Sequence, residues 1–205
     1  MLAGILRLFV GRARVRPRRT PVLGAGLLLA AACLAGPVAV VPAAADYAAD
    51  RDLCHTFDAD KTPQKIAACT RVIKTGRLSG RNLAIAYQDR AEGYRLSKEY
   101  DLALADFERA IKIDSQIAYP YLNRAEVWRL KGSYDQVIAD ATQAIRLDPA
   151  LNASYAIRGM AYKEIGAIAK AREDFDHALA IPVKGNDGNW AQDVARAQLK
   201  ELEGK

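Results

Sequence analysis

The fold is decided by three consecutive stretches: AIAYQDRAEGYRLSKEYDLALADFERAIKIDSQI (84–117), AYPYLNRAEVWRLKGSYDQVIADATQAIRLDPAL (118–151) and NASYAIRGMAYKEIGAIAKAREDFDHALAIPVKG (152–185). Each is the previous one shifted by 34 residues. Tyr87 recurs as Tyr121 and Tyr155, Arg90 as Arg124 and Arg158, and Tyr94 as Trp128 and Tyr162. Asp106 recurs as Asp140 and Asp174, and Ala110 as Ala144 and Ala178, while Phe107 becomes Ala141 and Phe175. Many columns in register at one period are the signature of a stacked repeat array.

The columns predict a pair of helices per copy. Ala91, Ala125 and Gly159 are small enough to let two helices approach, and Tyr94, Trp128 and Tyr162 lie one turn later on the same face. Ala110, Ala144 and Ala178 do the same spacing on each second helix. Tight turns fall at Lys98 and Glu99, at Lys131, Gly132 and Ser133, and at Gly166 and Ala167. Asp114-Ser115, Asp148-Pro149 and Pro182 end the second helices. Such pairs bury their apolar faces only against neighbours, so they hold together as a stack.

The pattern resembles the tetratricopeptide repeat, a helix–turn–helix unit of this period. The second copy carries it as Tyr121, Ala125, Trp128, Val137, Ala141, Ala144 and Pro149. The first reads Tyr87, Ala91, Tyr94, Ala103, Phe107 and Ala110, with Ser115 in place of the closing Pro; the third reads Tyr155, Gly159, Tyr162, Ala171, Phe175 and Ala178, with its Pro moved to Pro182. The expected fold is all-α: a tetratricopeptide-repeat solenoid of three full repeats (84–117, 118–151 and 152–185, the domain closing near 183), a degenerate leading pair at 46–83 and a capping helix at 186–205.

The leading pair rests on a parallel between Lys65–Ile73 and Ala103–Ile111. Thr62-Pro63 suits a helix start, with Thr as cap and Pro in the first turn. Ala48–Phe57 is the expected first helix of that pair, and Cys69 falls in the column of Phe107 and Phe175, facing it. At the other end a polar loop over 184–189 precedes an expected helix over Trp190–Leu202. Its apolar stripe is Ala191, Val194, Ala195, Leu199 and Leu202, and Gln192, Asp193, Arg196, Lys200 and Glu203 make a wet outer face.

The first 45 residues differ in kind. Arg7, Arg12, Arg14, Arg16, Arg18 and Arg19 stand there without any acid, followed by an apolar run from Val22 to Val41 and by Ala43-Ala44-Ala45. Basic region, apolar core and small-residue end describe a signal peptide at 1–45, cut between Ala45 and Asp46. The competing reading is a retained membrane anchor, which the length of the run allows and Pro37 and Pro42 interrupt. Arg18-Arg19 makes a poor twin-arginine signal, and Ala30-Ala31-Ala32-Cys33 lacks the Leu of a lipoprotein box. The expected location is therefore the exported space, the bacterial periplasm, with membrane contact only through the signal segment if it stays uncut.

Charge follows from this. The chain has 30 Lys and Arg against 24 Asp and Glu; without the six leading arginines the count is 24 against 24. A neutral mature protein gives no footing for a nucleic-acid partner. Export also bears on the cysteines. Cys33 leaves with the signal, and Cys54 and Cys69 remain as an even pair expected to form a disulfide. Two buried thiols are the plainer alternative. A metal site on Cys54, His55 and Cys69 is another, but it lacks paired CxxC spacing.

No catalytic constellation is apparent. The only histidines are His55 and His177, the latter read as a surface residue, and no phosphate loop, zinc-protease motif or nucleophile elbow is present. Arg90, Arg124 and Arg158 with Asp106, Asp140 and Asp174 recur in every repeat and read as a structural ladder. The expected protein is not an enzyme, needs no cofactor or metal, and takes a protein or peptide partner rather than a small-molecule substrate.

The resemblance places the binding surface in a concave groove lined by first helices. It implies Ile85, Gln88, Asp89, Glu92 and Arg95 from the first repeat, and Tyr119, Leu122, Asn123, Glu126 and Arg129 from the second. From the third it implies Ala153, Ala156, Ile157, Met160 and Lys163. Asn123 matches the Asn with which chaperone adaptors of the family grip a peptide backbone or its terminal carboxylate. Asp89, Ala153 and Ile157 stand where that clamp needs Asn, Lys or Arg, so the clamp is broken. A scaffold or adaptor of the cell envelope is the resulting expectation. The competing roles are a self-assembling homo-oligomer and a regulatory subunit of an envelope enzyme.

Overall fold

A computed structural model describes residues 44–56, 58–182 and 187–204. It runs α1 (Ala44–Cys54), a short 3-10 turn (Ala59–Lys61), α2 (Thr62–Lys74), α3 (Gly80–Leu96), α4 (Tyr100–Ile113), α5 (Ala118–Leu130), α6 (Tyr134–Leu147), α7 (Asn152–Glu164), α8 (Ile168–Ala180) and α9 (Asp187–Glu203). Among the described residues there is no strand, and no helix is long and apolar enough to cross a membrane. The expected export segment lies outside the described residues except at its end, where Ala44 and Ala45 open α1. Phe57 and positions 184–186 of the expected loop over 184–189 lie outside them as well.

The helices form the predicted antiparallel pairs: α1 with α2, α3 with α4, α5 with α6, and α7 with α8. Each second helix also packs on the first helix of the next pair, and α9 occupies that place after α8. First helices touch along the stack, α1 to α3, α3 to α5, α5 to α7 and α7 to α9, and so make one continuous face.

The columns are the core. Ala91, Ala125, Ala110, Ala144 and Ala178 are fully buried, as are Phe107, Ala141 and Phe175. Burying each Phe contributes about 1.5–3 kcal/mol. Gly159 is small for a visible reason: a Cβ there would lie 2.7 Å from Cε1 of Phe175.

The turns within pairs share one geometry. Lys98, Gly132 and Gly166 all adopt left-handed backbone, with φ of 61°, 74° and 78°. The next amide reaches back to the last turn of the first helix: Glu99 to Tyr94 O, Ser133 to Trp128 O and Ala167 to Tyr162 O, at 2.8, 2.9 and 2.8 Å. Lys98, Gly132 and Gly166 themselves donate to Arg95, Arg129 and Lys163, each at 3.0 Å. These paired bonds satisfy carbonyls that a helix end leaves free. Glycine suits two of the turns, and Lys98 carries the Cβ penalty in the third.

The Arg–Asp ladder is present in every repeat. Arg90 meets Asp106 at 2.6 and 2.9 Å, Arg124 meets Asp140 twice at 2.8 Å, and Arg158 meets Asp174 at 2.8 and 2.7 Å. Each rung joins a first helix to its own second helix. Arg90 and Arg158 also reach the preceding pair, donating to Thr70 at 3.2 Å and Thr142 at 3.0 Å. Burial is the largest influence on Arg124 and works against its charged form, but the bond to Asp140 and the nearby charges, that of Asp140 first, together outweigh it, so its pKa is raised.

The leading pair is stapled as expected. Cys54 and Cys69 form a disulfide between α1 and α2, and Arg71 grips Asp50 across the same interface at 2.7 and 2.5 Å. Two boundaries differ from the sequence reading. The first helix is Ala44–Cys54 rather than 48–57, so the expected cut between Ala45 and Asp46 falls within its first turn. Thr62 does not cap α2: its hydroxyl donates to Ala59 O at 2.7 Å, closing the 3-10 turn, and Pro63 takes the first turn of the helix.

At the other end α9 begins at Asp187, three residues before Trp190. Ala191, Ala195 and Leu202 pack with Ala156, Ala171, Phe175 and Ala178 in one cluster. The outer face is not wholly free. Gln192 donates to Leu179 O and Ile181 O at 3.2 and 3.1 Å, satisfying the end of α8, and Arg172 donates to Leu202 O.

Candidate peptide-binding groove

The face made by first helices carries a cavity of about 320 Å³, lined by Arg95 from α3, Leu122, Asn123 and Glu126 from α5, Ala153 and Ile157 from α7, and Trp190 from α9. Its floor is apolar because Leu122 and Ile157 are core residues, only 6% and 3% exposed, whose edges reach the face. Trp190, 46% exposed, forms a wall. Asn123 is half-buried.

The charged groups of the groove are spent on one another. Arg95 clasps Glu92 at 2.8 and 2.6 Å, and Arg129 clasps Glu126 at 2.7 and 2.8 Å, one turn apart on the same helix in each case. The bond to Glu92 holds Arg95 above its ordinary pKa, and the bond to Glu126 does the same for Arg129. Lys163 donates to Gln198 at 2.7 Å and to Glu201 at 2.5 Å, both on α9. Each of these cations in the groove already has a carboxylate.

The structure sorts the expected groove residues. Leu122, Asn123, Glu126 and Ile157 converge on the cavity, with Arg95 and Ala153 beside them. Glu92 and Arg129 buttress it through the ion pairs. Tyr119 stands 51% exposed, while Ile85 packs beside Ala84, Ala110 and Ile117, and Met160 packs between two core clusters.

Asp89 is a correction: it is 6% exposed and bonds His55 at 2.5 Å, because the leading pair covers it. Burial raises its pKa, opposed by the His55 bond and by the nearby charge of Lys65. Ala156 is likewise buried, under α9. His177, exposed as expected, stacks on Tyr155 at 5.4 Å between ring centroids.

Trp190 is the groove residue that sequence reasoning missed. Its signal was a lone aromatic at the start of an otherwise Ala-rich helix.

The tetratricopeptide repeat profile matches residues 84–117 and 153–182. The second TPR domain of human RPAP3, solved in complex with HSP70 peptide SGPTIEEVD, is 30% identical. That match covers 60% of this chain and 96% of the domain, with a TM-score of 0.52. MamA is similar in fold, at 19% identity over 75% of this chain and 81% of its own, with a TM-score of 0.58. A tetratricopeptide repeat protein from Parabacteroides merdae aligns at 14% identity over 78% and 62%, with a TM-score of 0.60. No curated protein matches the chain. The repeat columns, the helix-pair stack and these likenesses together place the chain in the tetratricopeptide repeat family.

Proposed function

We propose that this chain is an exported scaffold or adaptor of the bacterial cell envelope, which holds a segment of a partner protein in the groove between α3, α5, α7 and α9. The carrying observation is the cavity itself: an apolar floor, a tryptophan wall and the amide of Asn123 on one face. Apolar pockets with a few placed polar groups are the general form of a binding site. A related domain, the second of human RPAP3, is in complex with a peptide, which supports a peptide segment as the occupant.

The charge pattern narrows the segment. With Arg95, Arg129 and Lys163 paired and Ala153 and Ile157 apolar, a terminal carboxylate finds no unpaired cation among them. An internal extended or helical segment with a bulky apolar anchor suits the site better. Export is supported by the basic and apolar leader of the sequence and by the disulfide, which persists in oxidising compartments.

Co-purification from envelope extract tests the reading. Asn123→Arg fills the cavity and should abolish partner recovery while leaving the melting temperature within a few degrees. Undiminished recovery places the binding surface elsewhere. Intact mass of the protein from cells tests the cut; a species retaining Met1 contradicts it.

A further inference from the structure

We propose that reduction of the Cys54–Cys69 disulfide turns the junction of α1, α2 and α3 into a zinc site, with both thiolates, His55 and Asp89 as its ligands. This stands apart from the groove and goes beyond the scaffold reading.

Three of the four donors are already gathered. The sulfur of Cys54, a ring nitrogen of His55 and a carboxylate oxygen of Asp89 lie within 4.8 Å of one another. An ion at the centre of such a triangle is roughly 2.8 Å or less from each corner, against about 2.0–2.3 Å for zinc bonds, so sub-ångström shifts complete the contacts. Cys69 stands outside this group; reduction frees its sulfur from that of Cys54, and it joins from α2 as the fourth donor. Two thiolates, an imidazole and a carboxylate form a tetrahedral, sulfur-rich set suited to zinc.

The surroundings suit a closed structural site. Both cysteines are 0% exposed and Asp89 is 6% exposed, so water does not compete from their side. The His55 side chain, 43% exposed, leaves a path of entry. Two thiolates and a carboxylate around a dication carry one excess negative charge. Lys65, 3% exposed and close enough to act on Asp89, balances it. Glu92, which also faces Asp89, is already neutralised by Arg95. In the oxidised protein the His55–Asp89 bond keeps two ligands together beside the bridge.

The chemistry balances with a dithiol donor. The Cys54–Cys69 bond breaks, a disulfide forms on the donor, and its two protons pass to the released sulfurs. Zinc then displaces both protons as two zinc–sulfur bonds form. A disulfide oxidant reverses this by exchange: it takes two electrons and two protons to become a dithiol, both zinc–sulfur bonds break, the Cys54–Cys69 bond re-forms and the ion is released, so the α1–α2 staple is covalent in one redox state and metallic in the other.

The test uses the purified full chain, reduced with a phosphine so that no competing dithiol remains, and equilibrated with zinc alone or cobalt alone. We expect one tightly held ion per reduced chain and none per oxidised chain, with thiolate-to-cobalt charge transfer in the near ultraviolet. His55→Ala and Asp89→Asn, both purified oxidised with the staple intact and then reduced, should each weaken zinc binding about tenfold or more. Helicity lost on reduction should return with zinc. Uptake equal in the oxidised and reduced chains, or unaffected by both substitutions, overturns the proposal, as does helicity that zinc fails to restore.

Discussion

Truncating Arg158 to alanine tests whether the Arg–Asp columns hold the stack. Its guanidinium makes two bonds to Asp174, at 2.8 and 2.7 Å, and a third to Thr142 at 3.0 Å, so it joins α7 to α8 and to α6. The Arg158 side chain is 18% exposed and that of Asp174 only 4%. Removing the arginine therefore leaves a buried carboxylate without its counter-charge. Breaking such a pair costs about 3–5 kcal/mol. For a chain of this size each kcal/mol shifts the melting point by about 2–4 °C, giving a fall of roughly 6–20 °C. Because a solenoid adds its repeats and interfaces nearly independently, faster hydrogen exchange should concentrate in α7 and α8.

A double variant separates charge from packing. Arg158→Met with Asp174→Leu replaces both partners by apolar groups, a change often neutral or stabilising, and should recover most of the loss. The assays are thermal melting by circular dichroism and exchange by mass spectrometry. A single variant melting within about 1 kcal/mol of the parent, with unchanged exchange, refutes the structural role of the ladder. A double variant as unstable as the single one shows that the arginine stem, not its charge, carries the effect.

Three further outcomes follow from particular contacts. Gly159→Ala places a Cβ 2.7 and 2.9 Å from the ring of fully buried Phe175, and overpacking of this kind should lower stability by about 1–3 kcal/mol in denaturant titration. Lys98→Gly removes the Cβ from the left-handed turn at φ 61° and should raise stability by about 1 kcal/mol on the same titration. Cys54→Ser opens the staple between α1 and α2 and should cost about 3 kcal/mol. Limited proteolysis should then cut first in α1, while cleavage that starts in α5 or α7 instead contradicts a local staple.

Much of this architecture can be read from the sequence because the repeat places each residue three times. Register alone pairs Arg90, Arg124 and Arg158 with their aspartates, and puts Lys98 in the column of Gly132 and Gly166. The alignment of Cys69 with Phe107 and Phe175 likewise anticipates a buried position facing Cys54.

Register fails where a neighbour is not a repeat. Asp89 occupies a groove column, yet the end of α1 brings His55 onto it, and no periodicity encodes how that degenerate pair docks. Ala156 sits in a groove column and is covered by α9 for the same reason. Trp190 falls outside any column, so its place beside Leu122 and Asn123, some seventy residues earlier in the chain, emerges only from packing. Thr62 satisfies the local rule for a cap, but the 3-10 turn before it offers Ala59 O as a nearer partner.

The central claim is that the cavity around Asn123 holds a segment of another protein. A photo-crosslinking residue placed at Asn123, and in a second strain at Arg146 on the exposed face of α6, tests it in the intact envelope. The account predicts a discrete crosslinked species from Asn123, absent from Arg146 and lost when Trp190→Ala is added. Capture from Arg146 with none from Asn123 contradicts it.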